Sequence, residues 1–312
     1  MNIIFMGSPD FAVDSLEKLH FSEKINIEAV ISQPDRKKGR GQKKKATPVK
    51  KKASELGIEV LTSTNVNQKS FIEKIKKYSP DAIVVVAFGQ KFSRDLLELP
   101  EYGCINLHAS LLPKYRGSSP IHQSIINGDN KTGVTTMYMD EKLDNGDIIY
   151  KKEIKIEYKD TVGKLHDKLA SEGAELLLKT MIDIEKGIAP RKEQNDKKAT
   201  YAPKIDKSLG KINWNDKTEK IYNLVRGVNP WPGAYTYYEG EKIKIWKVSI
   251  VNNDFDKGEI GEIIKSDVDN GIIVRTADGY LKIDKLQPAG KRKMNVEDYL
   301  RGNVIAKGEK FA

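Results

Sequence analysis

Asn106 and His108 are the residues whose types and spacing best suit acyl-transfer chemistry. They lie two positions apart in GCINLHASLLPKYRGSSPI, residues 103–121, where a short apolar run predicts the end of a buried strand. Side chains two apart on a strand point the same way, so the amide and the imidazole can face one point. An amide can stabilise an oxyanion, and an imidazole can exchange protons near neutral pH. An isolated Asn-x-His pair is more often a surface or turn pair, so both interpretations stay open on these residues alone.

Asp144 supplies a carboxylate that could complete an acid and base pair. It lies in the sequence LDNGD, residues 143–147, whose composition predicts a tight turn between strands at 136–139 and 148–156. A carboxylate held on such a turn could orient or charge the imidazole of His108, or take a proton through a water molecule. No cluster of Cys, His and carboxylates has the spacing of metal ligands, and no metal site is predicted.

Four short motifs together resemble the folate-dependent formyltransferases. They are Asn106-Leu107-His108, Ser110-Leu111-Leu112-Pro113, Tyr115-Arg116-Gly117 and Leu143-Asp144-Asn145-Gly146-Asp147. The resemblance implies that Asn106, His108 and Asp144 are the catalytic residues and that 10-formyltetrahydrofolate is the formyl donor. It also implies that the Ser-Leu-Leu-Pro segment lies against the folate and that a second segment lines the pterin pocket. The implied folate contacts are Ser110, Leu111, Leu112, Pro113, Phe88, Gly89 and Gln90.

The elements before this region predict an α/β fold with a Rossmann-like, mostly parallel sheet. Strand patterns alternate with helix patterns, as in βαβ units, and ligands of such sheets bind beyond the carboxyl ends of the strands. Gly7-Ser8-Pro9 is not the spaced-glycine fingerprint, so no NAD or ATP site is predicted. The predicted strands are 2–6, 27–31, 58–61, 81–87 and 103–107, and the predicted helices are 10–19, 49–56 and 68–77.

The C-terminal third predicts a small OB-like β-barrel. A short helix at 217–226 and the turn NPWPG precede strand patterns at 234–238, 242–250, 259–264, 272–276 and 280–286. The polar, aperiodic stretch before them is typical of a linker. These patterns, together with the family resemblance, which implies the two functions, predict a formyltransferase catalytic domain at 1–189, a linker at 190–207 and an OB-like tRNA-binding domain at 208–312. Whether the barrel contacts RNA directly stays open on this sequence.

The positive charge of the chain is concentrated in one segment. The formal net charge is +10, and RKKGRGQKKKATPVKKK, residues 36–52, holds ten Lys or Arg residues and no carboxylate. The segment predicts an irregular loop, either solvated without a partner or ordered on a polyanion. The family resemblance implies that such a loop enters the acceptor arm of the initiator tRNA. The implied tRNA contacts are Arg40, Lys43, Lys44 and Lys45.

Length and composition indicate a soluble protein of two domains. Of 312 residues, 38% are hydrophobic and 31% charged, a balance that argues against wholesale disorder. No apolar run approaches the roughly 18 residues of a membrane span, and the N-terminal residues lack a basic leader. We expect a cytoplasmic monomer that does not enter membranes. The single Cys104 is most simply a small core residue, and a nucleophilic thiol is the alternative.

Taken with these observations, the family resemblance implies transfer of a formyl group from 10-formyltetrahydrofolate to the α-amine of methionyl initiator tRNA. Two alternatives stay open. One is another enzyme that uses 10-formyltetrahydrofolate, either a sugar-nucleotide formyltransferase or a formyl-folate hydrolase, although the basic segment and the barrel argue against it. The other is a non-catalytic RNA-binding protein, against which the Asn, His and Asp set argues.

Overall fold

The computed structural model describes residues 1–38, 43–252, 255 and 258–312. The chain divides into two compact units by its internal contacts. The first comprises Met1–Pro120, Lys131–Lys155 and His166–Ala202, and the second comprises Ile121–Asn130, Ile156–Leu165 and Pro203–Ala312. None of the helices in the described ranges combines enough length with enough apolarity to cross a membrane.

Seventeen elements, numbered in chain order, span the chain as far as residue 202. They are β1 (Asn2–Gly7), α1 (Val13–His20), β2 (Asn26–Ser32), β3 (Arg36–Lys38), β4 (Lys43–Lys45), α2 (Pro48–Glu55), β5 (Val60–Thr62), α3 (Lys69–Lys76), β6 (Ala82–Val86), α4 (Arg94–Leu97), β7 (Cys104–His108), β8 (Arg116–Gly117), α5 (Pro120–Ile126), β9 (Lys131–Tyr138), β10 (Ile148–Lys155), α6 (Val162–Glu185) and β11 (Tyr201–Ala202).

The first unit is built on a seven-stranded sheet in the order β10-β9-β7-β6-β1-β2-β5. The five strands from β7 to β5 in that order pair in parallel, and β9 is antiparallel to both β7 and β10. The mostly parallel, Rossmann-like sheet is therefore confirmed. Strand β6, with the sequence AIVVV, is buried at every residue, as expected for a parallel strand covered on both faces.

The register of β6 and β7 places two of the predicted segments at one edge of the sheet. Val86, the last residue of β6, pairs with Leu107 of β7, so both strands end at the same level. The residues after β6, Ala87–Gln90, therefore leave the sheet beside His108, the last residue of β7. This is the edge at which ligands of open α/β sheets bind.

The basic segment is more regular than its composition predicts. Strands β3 and β4 form an antiparallel ribbon in which Arg36 pairs with Lys45. A ribbon of this kind is held by backbone hydrogen bonds and needs no apolar side chains, which is why a search for apolar periodicity missed it. After the ribbon, Thr47 caps α2 by accepting a 3.1 Å hydrogen bond from the Lys50 N–H, and Pro48 occupies the first turn.

The second unit is an antiparallel barrel. Its remaining elements are α7 (Thr218–Gly227), β12 (Ala234–Tyr238), β13 (Glu241–Val251), β14 (Ile263–Asp267), β15 (Gly271–Arg275), β16 (Tyr280–Pro288), β17 (Met294–Asn295) and α8 (Val296–Leu300). The strands pair in the order β12-β13-β16-β15-β14, with β17 also on β16. The five predicted strands are present. However, β14 begins at Ile263 rather than 259, because Gly261 at a φ of +82° turns the chain before the strand starts.

The C-terminal residues close the barrel, a role that the sequence did not predict. Gly308 and Phe311 hydrogen-bond with the backbone of Ile263 and Gly261 beside β14, while Ala312 exchanges two 2.9 Å backbone hydrogen bonds with Tyr237 of β12. Both open edges of the sheet are thereby paired. Paired edges remove the unsatisfied backbone groups that would otherwise face water or another chain.

Phe311 is expected to contribute substantially to the stability of this barrel. It is buried and stacks on Trp214, with ring centroids 5.7 Å apart and an interplanar angle of 19°. Phe311→Ala should lower the free energy of unfolding of the second unit by about 3–5 kcal/mol, because it loses apolar burial and leaves a cavity. Tryptophan fluorescence during urea denaturation measures this, since Trp214, Trp231 and Trp246 all lie in that unit.

Val304→Ala provides the matched control, because Val304 is 85% exposed. It should leave the unfolding midpoint unchanged. An unfolding curve of Phe311→Ala that overlays those of Val304→Ala and the unmodified protein would contradict a structural role for the C-terminal residues.

Candidate active site

The structure brings His108 and Asp144 together. His108 is buried at the end of β7, and its Nδ1 lies 3.7 Å from Oδ2 of Asp144. Its other ring nitrogen, Nε2, donates a 2.9 Å hydrogen bond to the carbonyl oxygen of Tyr115. The ring is therefore fixed on one side by backbone, while Nδ1 faces the carboxylate at a distance too long for a direct hydrogen bond.

Asn106 lies two residues earlier on β7 and is half-buried. Strand periodicity places its side chain on the same face of the sheet as His108. The Asn106 amide forms no hydrogen bond with any other residue that the structure describes. Its N–H groups therefore remain available to an incoming oxygen.

Asp144 is held by an unusual backbone conformation and by a neighbouring amide. Its φ is +49°, in the left-handed region that non-glycine residues rarely adopt, and Oδ2 accepts a 2.7 Å hydrogen bond from the Gly117 N–H. Gly146, two residues on, allows the turn to pack closely, since an added Cβ would lie 1.9 Å from the Tyr138 carbonyl oxygen. The turn predicted at residues 144–147 is thus present, and it aims the carboxylate at His108.

Residues 115–117 connect the two titratable side chains. Tyr115 supplies the carbonyl that holds His108, and Gly117 supplies the N–H that holds Asp144. This loop is itself pinned by the segment that composition describes as a linker: β8 pairs in parallel with β11, and the Tyr115 N–H donates a 2.9 Å hydrogen bond to Oγ1 of Thr200. Gly117 is required at this pairing, because a Cβ there would lie 2.7 Å from the Ala202 carbonyl oxygen.

Sequence reasoning missed Thr200, Arg116 and Gln194 as residues that shape this site. Arg116 belongs to the Tyr-Arg-Gly motif, but nothing in that motif indicates its partner. Gln194 accepts hydrogen bonds from Arg116 through Oε1 and donates from Nε2 to the carbonyl oxygens of Asp144 and Gly146. The short apolar pair in Thr200–Ala202, inside an otherwise polar stretch, is the one signal that could have indicated a strand there.

The predicted folate contacts divide into buried and accessible residues. Ser110, Leu112 and Phe88 are buried, with Leu112 packed on Met137 and Ile148, so their side chains support the loops. Gly89 is exposed, and Leu111 and Pro113 are partly exposed. The side chain of Gln90 is engaged with the backbone, because it accepts from the Val66 N–H and donates to the Ser63 carbonyl.

A lysine of β10 hydrogen-bonds to the backbone of the Ser-Leu-Leu-Pro segment. The Lys151 ammonium donates a hydrogen bond to the Leu112 carbonyl oxygen. Burial lowers the pKa of Lys151 from its ordinary value, and the charge of Lys192 lowers it further. Thr135 contributes from β9, donating to the Ser110 carbonyl and accepting from the Leu112 N–H. The backbone of the loop is thus fixed while the surface of Leu111 and Pro113 remains partly open.

The predicted tRNA contacts are only partly described. Arg40 lies outside the described residues, and so does the side chain of Lys43. Lys44 and Lys45 are exposed on β4. Their charges are therefore presented to solvent, where a polyanion can reach them.

Cys104 is a core residue. It is buried in β7, burial raises the pKa of its thiol well above the ordinary value, and its Sγ lies 3.6 Å from the Leu96 carbonyl oxygen. A thiol that is kept protonated and away from solvent is a poor nucleophile. Among the described residues, no group of three or more His, Cys, Asp and Glu side chains is arranged to hold a metal ion.

Two family models match this chain. A formyl transferase family model matches residues 1–181, and a formyl transferase C-terminal domain model matches residues 204–304. The chain is 58% identical over 316 residues to a methionyl-tRNA formyltransferase of Halothermothrix orenii, covering 100% of both chains. It is 48% identical to a methionyl-tRNA formyltransferase of Alkaliphilus metalliredigens, covering 99% of this chain and 97% of that one.

Among solved structures, the chain is similar in fold to WlaRD, a sugar 3N-formyltransferase crystallised in the presence of dTDP and 5-N-formyl-THF. The TM-score is 0.66 at 21% identity, covering 94% of this chain and 99% of that one.

Proposed function

This chain belongs to the formyl transferase family, and from that premise we propose that it transfers the formyl group of 10-formyltetrahydrofolate to the α-amine of methionyl initiator tRNA. The observation that carries the proposal is the pairing of His108 with Asp144, 3.7 Å apart at the sheet edge, with Asn106 two residues before His108 on the same strand. The methionyl-tRNA formyltransferase of Halothermothrix orenii matches this chain over its whole length, which supports the acceptor.

Asn106, His108 and Asp144 have distinct roles in this proposal. As the nitrogen of the acceptor bonds to the formyl carbon, the formyl oxygen gains negative charge, and the Asn106 amide donates to it. Nδ1 of His108 is the ring nitrogen left to face the reacting group, since the Tyr115 carbonyl occupies Nε2. Asp144 faces the Nδ1 side of the ring, and it assists the transfer of the amine proton to the leaving nitrogen as the old carbon–nitrogen bond breaks.

The residues around this set fit a folate. Bound 10-formyltetrahydrofolate supplies the formyl group on a nitrogen that can leave. Gly89, exposed at a φ of +82°, allows a flat ring to approach the backbone after β6, and Leu111 and Pro113 offer partly exposed apolar surface. We therefore assign folate contact to the backbone of Phe88, Gly89 and Gln90 and to the surface of Leu111 and Pro113. Ser110 and Leu112 fix the loop beneath that surface.

We assign tRNA binding to two parts of the chain, the basic ribbon formed by β3 and β4 and the barrel of the second unit. Lys44 and Lys45, with Arg40 and Lys43 beside them in sequence, provide four positive charges that duplex RNA attracts through its phosphates. The barrel is of the OB type, a known scaffold for nucleic acids. Such an enzyme acts in translation initiation, in the cytoplasm, on an acceptor already charged with methionine.

A single assay tests the proposal against its alternatives. Purified protein is incubated with 10-formyltetrahydrofolate and with methionyl initiator tRNA, a dTDP-linked amino sugar, or no acceptor. We expect formyl transfer to the methionyl-tRNA alone. Preferential formylation of the sugar, release of formate without an acceptor, or tRNA binding without turnover would each contradict the proposal and identify the alternative.

A further inference from the structure

One buried side-chain amide joins the Asp144 turn to the loop that holds His108. Nε2 of Gln194 donates to the backbone carbonyl oxygens of Asp144, at 2.9 Å, and Gly146, at 2.8 Å. Its Oε1 accepts from Nε of Arg116, at 3.2 Å, and from Nη2, at 2.9 Å. A primary amide has two N–H donors and two acceptor lone pairs, so every hydrogen-bonding position of Gln194 is used.

Arg116 links this amide to both catalytic side chains. Its guanidinium is buried, and Nη2 also donates to Oδ1 of Asp196 at 2.8 Å. Its backbone lies between Tyr115, whose carbonyl holds His108, and Gly117, whose N–H holds Asp144. A displacement of Arg116 would therefore move the hydrogen-bonding partners of both side chains.

We propose that Gln194 and Arg116 are positioning residues that set the separation of His108 and Asp144 for formyl transfer. The inference rests on the proposed function for its kinetic consequence. Two physical facts support it. Asp144 has a φ of +49°, a conformation that persists only where its surroundings hold it, and the two hydrogen bonds from Gln194 hold the carbonyls of Asp144 and Gly146 within the turn. In addition, the hydrogen bonds of Gln194 to this turn go to backbone carbonyls, so its effect on the reaction passes through the position of Asp144.

Gln194→Glu is the sharpest substitution. It keeps the shape of the side chain and an acceptor for Arg116, but it places an oxygen opposite the carbonyls of Asp144 and Gly146, which repel it. Asn195→Asp is the matched control, since it makes the same chemical change one residue further on. Asn195 is exposed, and its Oδ1 accepts from the Lys197 N–H, a bond that aspartate retains.

We expect Gln194→Glu to lower kcat by on the order of ten- to a hundredfold while the KM values for folate and tRNA change little. Asn195→Asp should retain the original kcat. In an Asp144→Ala background the effect of Gln194→Glu on kcat should almost vanish, because a residue that acts through Asp144 has nothing left to position. An undiminished effect in that background would overturn the proposal.

A second measurement needs no turnover. The chain has four histidines, so the imidazole resonance of His108 can be assigned by its loss in His108→Ala. Gln194→Glu should move that resonance, and Asn195→Asp should leave it in place. If the resonance does not move in Gln194→Glu, the positioning role is overturned, whether or not the protein formylates methionyl-tRNA. If the unmodified protein fails to formylate methionyl-tRNA, that result alone refutes only the proposed function. Should Gln194→Glu fail to fold, Gln194→Met removes both donors without adding charge and serves in both measurements.

Discussion

His108→Ala is expected to lower kcat for formylation of methionyl-tRNA by about three orders of magnitude. The substitution removes the imidazole that lies 3.7 Å from Asp144, and with it the ring that the proposed mechanism places next to the reacting group. General acid–base catalysis by a positioned side chain contributes about 10²–10⁴-fold, and loss of an oxyanion donor costs about 10²–10³-fold. Rapid-quench measurement of a single turnover, with enzyme in excess over charged tRNA, isolates this step from product release.

The affinity for tRNA separates a catalytic role from a structural one. His108→Ala should bind methionyl-tRNA as tightly as the unmodified protein, because none of the basic ribbon is changed. Asp144→Asn should lower the single-turnover rate of formylation by about 10²-fold. The asparagine can still accept the hydrogen bond from the Gly117 N–H, but it carries no charge. His20→Ala, at a histidine outside the site, is the control and should retain full activity. Parallel losses of turnover and of tRNA affinity in His108→Ala would indicate that the residue only supports the fold.

Asn106 provides an internal comparison. Its amide supplies a neutral donor and no proton, so Asn106→Ala should lower the rate by about 10²–10³-fold without changing which ionisations govern the rate. A change in the pH dependence of kcat in Asn106→Ala would therefore assign it a different role. The contrast matters because Asn106 and His108 lie on one face of one strand, where damage to the strand would affect both alike.

The elements that carry the proposed catalytic residues could be predicted because their signals are local. A five-residue apolar strand ending at His108 and an Asp-Asn-Gly-Asp turn at Asp144 are each encoded within a few neighbouring residues. Parallel pairing of β6 and β7 then follows from the alternation of strands and helices. The convergence of the two titratable groups was therefore within reach of the sequence.

The structures that hold those groups could not be predicted, because they depend on distant pairing. Thr200 bonds to Tyr115 across 85 positions, and the strand it introduces, β11, has only two residues. A polar, basic and aperiodic stretch around so short a strand has the composition of a linker. The burial of Leu112 and Phe88 could not be predicted either. A motif identifies the residues near a ligand, but it does not tell which of their side chains face the protein core.

The basic ribbon formed by β3 and β4 should affect the affinity for tRNA, whereas the residues at the sheet edge should affect the rate of formyl transfer. Residues 36–52 contain ten positive charges and no carboxylate, although Asp35 and Glu55 at their borders pair with Lys50 and Lys51. Lys44 and Lys45 are exposed, and neither forms an ion pair with another residue in the described part of the chain. Such charges repel one another in the free protein, so a polyanion that neutralises them is bound more tightly than any neutral partner.

Replacing Arg40, Lys44 and Lys45 together with alanine is expected to weaken the binding of methionyl initiator tRNA by on the order of tenfold or more, with kcat at saturating tRNA unchanged. Each phosphate contact releases about 0.9 of a counterion from a duplex, so the slope of log affinity against log salt should fall by about two to three. Filter binding between low and physiological salt measures both quantities. The control replaces Lys69, Lys74 and Lys77, exposed on or beside α3, which removes the same net charge. If the two triple variants gave equal slopes, net charge alone would account for binding and the ribbon would lie outside the interface; a reduced slope confined to the ribbon variant would place its lysines on the phosphates.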